Sequence, residues 1–397
     1  MTLKIFLQSS TSALNLVPTL ALTVLNSGTG GRREEPKSSS SGLSNLAVVP
    51  SLTLIDNSHC PPRIFDRGEL LGTGGFAKVY KVTERSSGDK YADKVINKEI
   101  FARRANARNK VEREIYLHRK MNHVNIVKFY EFFEDTNFVH MVLELAPQGS
   151  LLNVSKNRGN LTEPEVRYYF RQIAAGTRYI HSQRILHRDL KLGNMFLSEH
   201  MEIKIGDFGL STSFTENKPS LCGTPNYVSP EIIAKKGHSI SSEVWSIGCI
   251  IYALLCGKPP FDSGSVERTY HLITNCEFSL PEHLSSTAVE FLLNILIVDP
   301  ERRGTLEEPT RTRNSRSLLA HPFIQNSFTP TYLPPSAVNF PPDFSDYVID
   351  LTNNNGNTEE DQEKPGCSPG ISSTLRRMRG FFNTKNDFLE QALACID

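Results

Sequence analysis

The chain has 397 residues, 39% hydrophobic and 22% charged, which suits a globular core and a length of two or three domains of about 150 residues each. Forty-four basic residues against 43 acidic ones leave a net charge of +1, so no whole-chain basic excess points to nucleic acid. Seven scattered cysteines without a CxxC pair make neither a disulfide framework nor a cysteine zinc site and fit a reducing compartment, and no apolar run reaches the roughly 18 residues of a membrane span.

Residues 1–60 differ in texture from the rest of the chain. The stretch 5–25 is apolar and Ser/Thr-rich, with Lys4 before it and no acid until Glu34; 27–46 has linker composition. The segment reads as a disordered or targeting N-terminus. From about Arg63, alternating apolar residues over 64–96 and 126–146 predict strands. Helical spacing over 98–121, 161–182, 241–256 and 286–297 predicts helices. A strand-rich part followed by a helix-rich part predicts two lobes and an α+β class. After about 326 the composition becomes Pro-rich and then Asn/Glu-rich, so 327–397 reads as a linker or disordered tail. Its end, 371–397, sets Arg376, Arg377 and Arg379 beside Phe381, Phe382, Phe388, Leu389 and Leu393, as a solvated tail or a short docking helix.

Four segments carry chemistry. In LGTGGFAKVY (71–80), Gly72, Gly74 and Gly75 let backbone approach a phosphate, Ala77 stands where G-x-G-x-x-G has its third glycine, and Val79 falls where it would cover an adenine ring. In YADKV (91–95), Lys94 is an inward lysine that needs a partner or an anion, and Glu114 on the following helix suits it. Two unpaired surface charges are the bland alternative. In HRDLKLGN (187–194), Asp189 can accept a hydroxyl proton, Lys191 can neutralise a transferring phosphate and Asn194 can give an oxygen to Mg²⁺. DFG at 207–209 follows an apolar strand pair, and Asp207 can chelate the same metal. The order, with 18 residues from Asp189 to Asp207 and 24 more to Glu231, makes chance a poor account.

Over about 63–326 these motifs resemble the eukaryotic protein kinase family. The resemblance implies a bilobal kinase fold with a β-rich N-lobe (about 61–145) and a helical C-lobe (about 146–326). It implies ATP and Mg²⁺ as cofactors, with Thr73, Phe76, Ala92, Leu143, Glu144, Ala146 and Phe196 joining the ATP site. It implies a structural pair between Glu231 of the S-P-E segment and Arg303. HRDLK and GTPNY look like the Ser/Thr branch. GTGGFAKVY, LTEPEVRYYFRQI, SLCGTPNY, KKGHS and VWSIGCIIYALLCGKPPF resemble the polo-like kinases, whereas SLCGTPNY alone also fits an aurora-like branch. By resemblance, Arg188 pairs with a phosphate on the activation segment, Ser220 is the phosphorylated position and Thr224 lines the substrate site. The implied partners are protein substrates with Ser/Thr and an upstream activating kinase, acting on a monomer with no nucleic acid and no membrane. The implied setting is cell-cycle control in cytoplasm and nucleus, with centrosome or spindle.

Four departures stand out. Glu243 replaces an Asp that in the family holds the backbone around the HRD turn. Residues 309–317, PTRTRNSRS, interrupt what otherwise reads as one last helix, TLEELLAHPFI, and read as a loop. APQGS (146–150) lacks basic residues expected of close polo-like relatives. The stretch after the kinase region is too short for two polo boxes. A kinase-fold binding protein is the competing reading, against which stand Lys94, Asp189 and Asp207.

Overall fold

A computed structural model describes residues 53–344 except Phe76, Lys218 and 308–315. The readings of 1–52, of Phe76, of most of the insert and of 345–397 lie outside the described residues. The chain divides after Pro342 into two units, and every element below lies in the first.

Six antiparallel strands come first: β1 (Thr53–Asp56), β2 (Arg63–Thr73), β3 (Ala77–Glu84), β4 (Lys90–Asn97), β5 (Phe129–Glu134) and β6 (Phe138–Glu144). Their order in the sheet is β1-β2-β3-β4-β6-β5. One apolar cluster draws a residue from each of the six, namely Leu54, Phe65, Val82, Tyr91, Phe133 and Val142. A sheet whose strands all point one side chain at a common centre must curl, and this one does. Strand β1 corrects the reading of 1–60 as a single disordered or targeting segment. The TLID sequence buries Leu54 and pairs residue by residue with β2.

The helical stretch expected over 98–121 is two helices, α1 (Glu99–Arg103) and α2 (Ala107–His118). Asn106 separates them with φ of 65°, a left-handed conformation that ends one helix and that asparagine tolerates. The face of α2 carrying Glu114, Ile115, Leu117 and His118 is buried.

The second lobe is built on α3 (Leu151–Arg158), α4 (Glu163–Ser182) and α6 (Ile240–Cys256), with α5 (Pro230–Ile233), α7 (Val266–Thr274), α8 (Ser286–Ile295) and α9 (Pro322–Gln325) around them. Helix α4 starts at a capping box: Thr162 donates through its amide and hydroxyl to Glu165, with Pro164 in the first turn. Helix α6 is apolar nearly all round and accordingly buried. It passes α8 at Gly248, where a Cβ would lie 2.4 Å from Ile295 Cγ2. Two short pairs, β7 (Ile185–Leu186) with β10 (Thr212–Ser213) and β8 (Met195–Leu197) with β9 (Ile203–Ile205), frame the cleft side of this lobe.

The end of the domain differs from the single helix expected there. The chain leaves at Glu307 and returns at Arg316, pinched by Thr305 N to Arg316 O (2.9 Å) and Leu318 N to Thr305 O (2.9 Å). Helix resumes only as a 3-10 turn, Leu318–Ala320, and α9, with Leu306 and Leu318 both buried on either side of the inserted chain. The linker reading also fails for 327–340. Leu333 and Ala337 are buried, Arg158 donates to Ala337 O, and Arg167 to Phe328 O. A few small apolar anchors and fixed proline torsions hold this stretch on α3 and α4 despite its composition.

Arg303 is fully buried and forks onto Glu231 at 2.8 and 3.1 Å. Its remaining donors reach Ser241 O and Ile297 O, and its guanidinium lies over Trp245. Removing one partner strands a buried charge, which typically costs about 3–5 kcal/mol. Arg303→Met should therefore lower stability by that order in urea unfolding, and an unchanged midpoint would show the pair to be dispensable.

Candidate active site

The hairpin between β2 and β3 brings Gly72 opposite Val79 and Thr73 opposite Lys78, and Gly74 N donates to Ala77 O at 2.8 Å. Among the described residues, a Cβ at Gly72 or Gly75 would meet nothing within 4 Å, and at Gly74 only Ala77 O at 3.6 Å. The protein's own packing therefore does not demand glycine here. What the glycines leave is open room beside backbone, which suits a phosphate group. Ala77 is buried as the first residue of β3 and opposes Ile96.

Lys94, on β4, stands between Val79 of β3 and Met141 of β6. Its Nζ donates to Glu114 Oε1 at 2.5 Å and to Asp207 Oδ1 at 3.0 Å. Burial alone would lower the ammonium's pKa, but Asp207 and Glu114 outweigh it and raise it. The same ammonium holds the Asp207 carboxyl well below the usual carboxylate range. One lysine thus ties β4, α2 and the DFG turn together.

Four side chains meet at the catalytic loop. Lys191 Nζ donates to Asp189 Oδ2 (2.7 Å) and to Thr224 Oγ1 (2.9 Å). Thr224 Oγ1 donates to Asp189 Oδ1 (2.8 Å). Asn194 Nδ2 donates to Asp189 O (2.8 Å) and lies 3.2 Å from Asp189 Oδ2. Arg188 and Asp207 are non-glycine residues at φ of 65°, each held in a sparsely populated conformation by its surroundings.

Glu243 takes up the role of the expected aspartate. It is buried, its Oε1 accepts the Arg188 amide at 2.7 Å, and its Oε2 lies 2.6 Å from His181 Nε2. Burial would raise its carboxyl, but His181 and the Arg188 amide hold it below the usual value. The Arg188 side chain donates to Leu210 O (2.7 Å) and reaches Ser220 Oγ at 3.5 Å.

Four of the residues named for adenine lie on three strands. Ala92 of β4 opposes Leu143 of β6, Glu144 ends β6, and Phe196 is the middle residue of β8. The Glu144 amide is used by Lys128 O, whereas the Ala146 amide has no partner among the described residues. Gly206, just before Asp207, sits so close to Phe196 that a Cβ would lie 3.0 Å from its ring.

The donor set fits a magnesium–nucleotide complex. Asp207 is 45% exposed, and its Oδ2 has no hydrogen bond among the described residues. Asn194 spends its N–H on Asp189, which leaves its side-chain oxygen for a ligand. Carboxylate and amide oxygens are what a hard divalent cation takes.

Sequence reasoning missed an aromatic column through this site. Phe208 is buried between His118 (4.5 Å between ring centres) and His187 (5.1 Å), and Phe129 lies beyond His118 at 5.4 Å. The available signal was spacing: His118 follows Glu114 by one helical turn and shares its face.

This two-lobed fold, with a glycine hairpin, a buried Lys–Glu pair and paired Asp-bearing loops, defines a protein kinase domain. Residues 65–324 match the family profile described as protein kinase domain. The chain is 43% identical over 286 residues to the serine/threonine-protein kinase PLK1 of Xenopus laevis, covering 71% of this chain and 46% of that one. It is 41% identical over 283 residues to the serine/threonine-protein kinase polo of Drosophila melanogaster (70% and 47%). To the serine/threonine-protein kinase PLK2 of Rattus norvegicus it is 37% identical over 334 residues (80% and 48%). The chain belongs to the protein kinase family, and its kinase region is of the polo-like kind. It spans less than half the length of these relatives.

The histidine column makes stability depend on pH. His118 Nε2 donates to Val127 O (2.7 Å), and burial lowers its pKa from 6.5 to about 4. Burial likewise lowers that of His238 to about 4. Between pH 6.5 and 4 the unfolded chain takes up a proton that the folded His118 refuses, so stability falls as pH falls through that window. A depression of this size is worth on the order of 3 kcal/mol. Chemical unfolding at pH 7 and pH 4.5 should show a smaller acid loss in His118→Leu than in wild type. Equal losses would show that His118 takes up its proton alike in the folded and unfolded states.

Proposed function

We propose that the chain transfers the γ-phosphoryl group of MgATP to serine and threonine hydroxyls of proteins. The observation that carries this reading is the joint assembly of Lys94–Glu114–Asp207 and Asp189–Lys191–Asn194–Thr224. Phosphoryl transfer asks for positioning and charge neutralisation rather than covalent catalysis, and these groups supply both.

The hairpin at 72–79 covers the phosphates, and Lys94, fixed by Glu114, reaches the α- and β-phosphates. Asn194 and Asp207 would hold Mg²⁺, which would neutralise phosphate oxygens. Asp189 orients the substrate hydroxyl and accepts its hydrogen bond. Lys191 neutralises charge at the transferring group. Thr224, which bridges Asp189 and Lys191, is displaced toward the substrate or orders the pair until the substrate arrives. Val79, Ala92 and Phe196 enclose adenine, with Glu144 and Ala146 offering backbone groups beside Leu143.

Regulation belongs to the same reading. A phosphate on Ser220 would meet the Arg188 guanidinium and order residues 210–230 against the catalytic loop. An upstream kinase would supply it. A role in cell-cycle control is proposed from the likeness to polo and PLK1.

Purified full chain with MgATP should phosphorylate casein on Ser and Thr. Asp189→Asn should lower turnover by at least roughly 10³-fold, the scale on which loss of a key catalytic group is felt, with an unchanged circular dichroism spectrum. Undiminished transfer by Asp189→Asn would remove Asp189 from the chemistry. After treatment with an activating kinase, Ser220→Ala should stay near the turnover of untreated wild type. Full activation of that variant would place the switch elsewhere.

A further inference from the structure

One cluster of side chains joins the two open edges of the sheet and takes no part in phosphoryl transfer. β1 and β5 are the outer strands of the sheet. Asp56 ends β1, His59 lies in the turn after it, and Glu131 is on β5. His59 Nε2 stands 2.7 Å from Glu131 Oε2 and 3.5 Å from Asp56 Oδ2. One ligating atom from each residue lies within 4.8 Å of the others.

Asp56 is fully buried. Its Oδ1 accepts the Ser58 amide at 2.8 Å, but its Oδ2, the atom facing His59, has no hydrogen-bond partner among the described residues. A buried carboxylate oxygen without a donor is costly unless a cation faces it. The charge count points the same way. Glu131's other oxygen is held by Arg63, which also forks onto Glu84. One guanidinium therefore answers two carboxylates, Glu84 and Glu131, and Asp56 adds a third negative charge beside Glu131. With a neutral imidazole, two negative charges remain, and a protonated His59 would cancel only one.

We propose that Asp56, His59 and Glu131 form a Zn²⁺ site that pins β1 to β5 and closes the edges of the curled sheet. An imidazole with two carboxylates is a donor set zinc accepts, with water in the fourth tetrahedral position. Tetrahedral ligands at about 2.1 Å from zinc stand roughly 3.4 Å apart. The Asp56–His59 pair already has that separation. The His59–Glu131 pair needs to open by less than about 1 Å, and His59 is half-exposed and able to turn. Mg²⁺ and Ca²⁺ are poorer occupants, because both prefer all-oxygen shells.

The test is calorimetric titration of ZnCl₂ into EDTA-treated full chain at pH 7.5, with wild type beside His59→Gln and Glu131→Gln. Cys222 Sγ lies 3.3 Å from His238 Nε2, a second zinc-competent pair, so the reading is a difference between proteins. Wild type should bind one equivalent more than either variant. Its unfolding temperature should rise with Zn²⁺ and stay unchanged with Mg²⁺. Equal stoichiometry in His59→Gln, or no zinc binding by wild type, overturns the site. X-ray absorption of Cys222→Ala carrying one zinc equivalent gives a second reading independent of His59 substitution. The Cys222→Ala sample should show nitrogen and oxygen ligands only, and sulfur in its shell overturns the proposal.

Discussion

The site depends on a buried ammonium held between two carboxylates. Lys94 comes from a sheet, Glu114 from a helix and Asp207 from a loop of the other lobe, and no two of them are neighbours in sequence. Taking a lysine out of water is tolerable only where its partners are close and well aligned. The arrangement is therefore self-selecting, since moving any one element leaves a buried charge unpaired. With one cation against two anions the trio retains a negative charge, and Asp207 keeps one oxygen turned to the cleft. The pairing that fixes the lobes' machinery is also the pairing that makes the cleft receptive to a divalent cation.

A second layer of contacts carries this fixation outward. Phe208 follows Asp207 and is trapped between His118 of α2 and His187 of the catalytic loop. The residue that places Asp207 thus packs against the helix that places Glu114. His118 can do this only while neutral, because its ring is buried against aromatic faces and gives its one N–H to Val127 O. Helix position, DFG position and the protonation state of one imidazole are a single coupled arrangement.

Most of the candidate catalytic groups could be named from the sequence because the proposed chemistry restricts residue type within short spacings. Lys94, Asp189, Lys191, Asn194 and Asp207 each sit in a motif of a few residues, and the structure brings them into two adjoining networks. What was not legible depends on long-range closure. Asp56 and His59 meet Glu131 across 72 residues or more, since the sheet curls and not because any local pattern announces it. The strap at 327–340 has linker composition, yet Leu333 and Ala337 are buried and Arg158 and Arg167 bond its carbonyls, and composition does not report where such anchors land. The break at Asn106 was hidden because charged and apolar residues keep helical spacing on both sides of it. β1 was hidden by its four-residue length.

Glu243 shows how a departure from a family pattern can leave geometry intact. The turn at Arg188 is in a left-handed conformation and needs its amide accepted from below. A carboxylate one methylene longer than aspartate could overshoot that amide. Here the second oxygen is taken by His181 of α4, which draws the side chain aside and leaves the first oxygen 2.7 Å from the Arg188 amide. The extra length is taken up by a partner on another helix. The Arg188 side chain then spans from Leu210 O toward Ser220. One buried carboxylate on α6 therefore supports both the loop that bears Asp189 and the arginine that faces the activation segment, and the strain at Arg188 is the link between them.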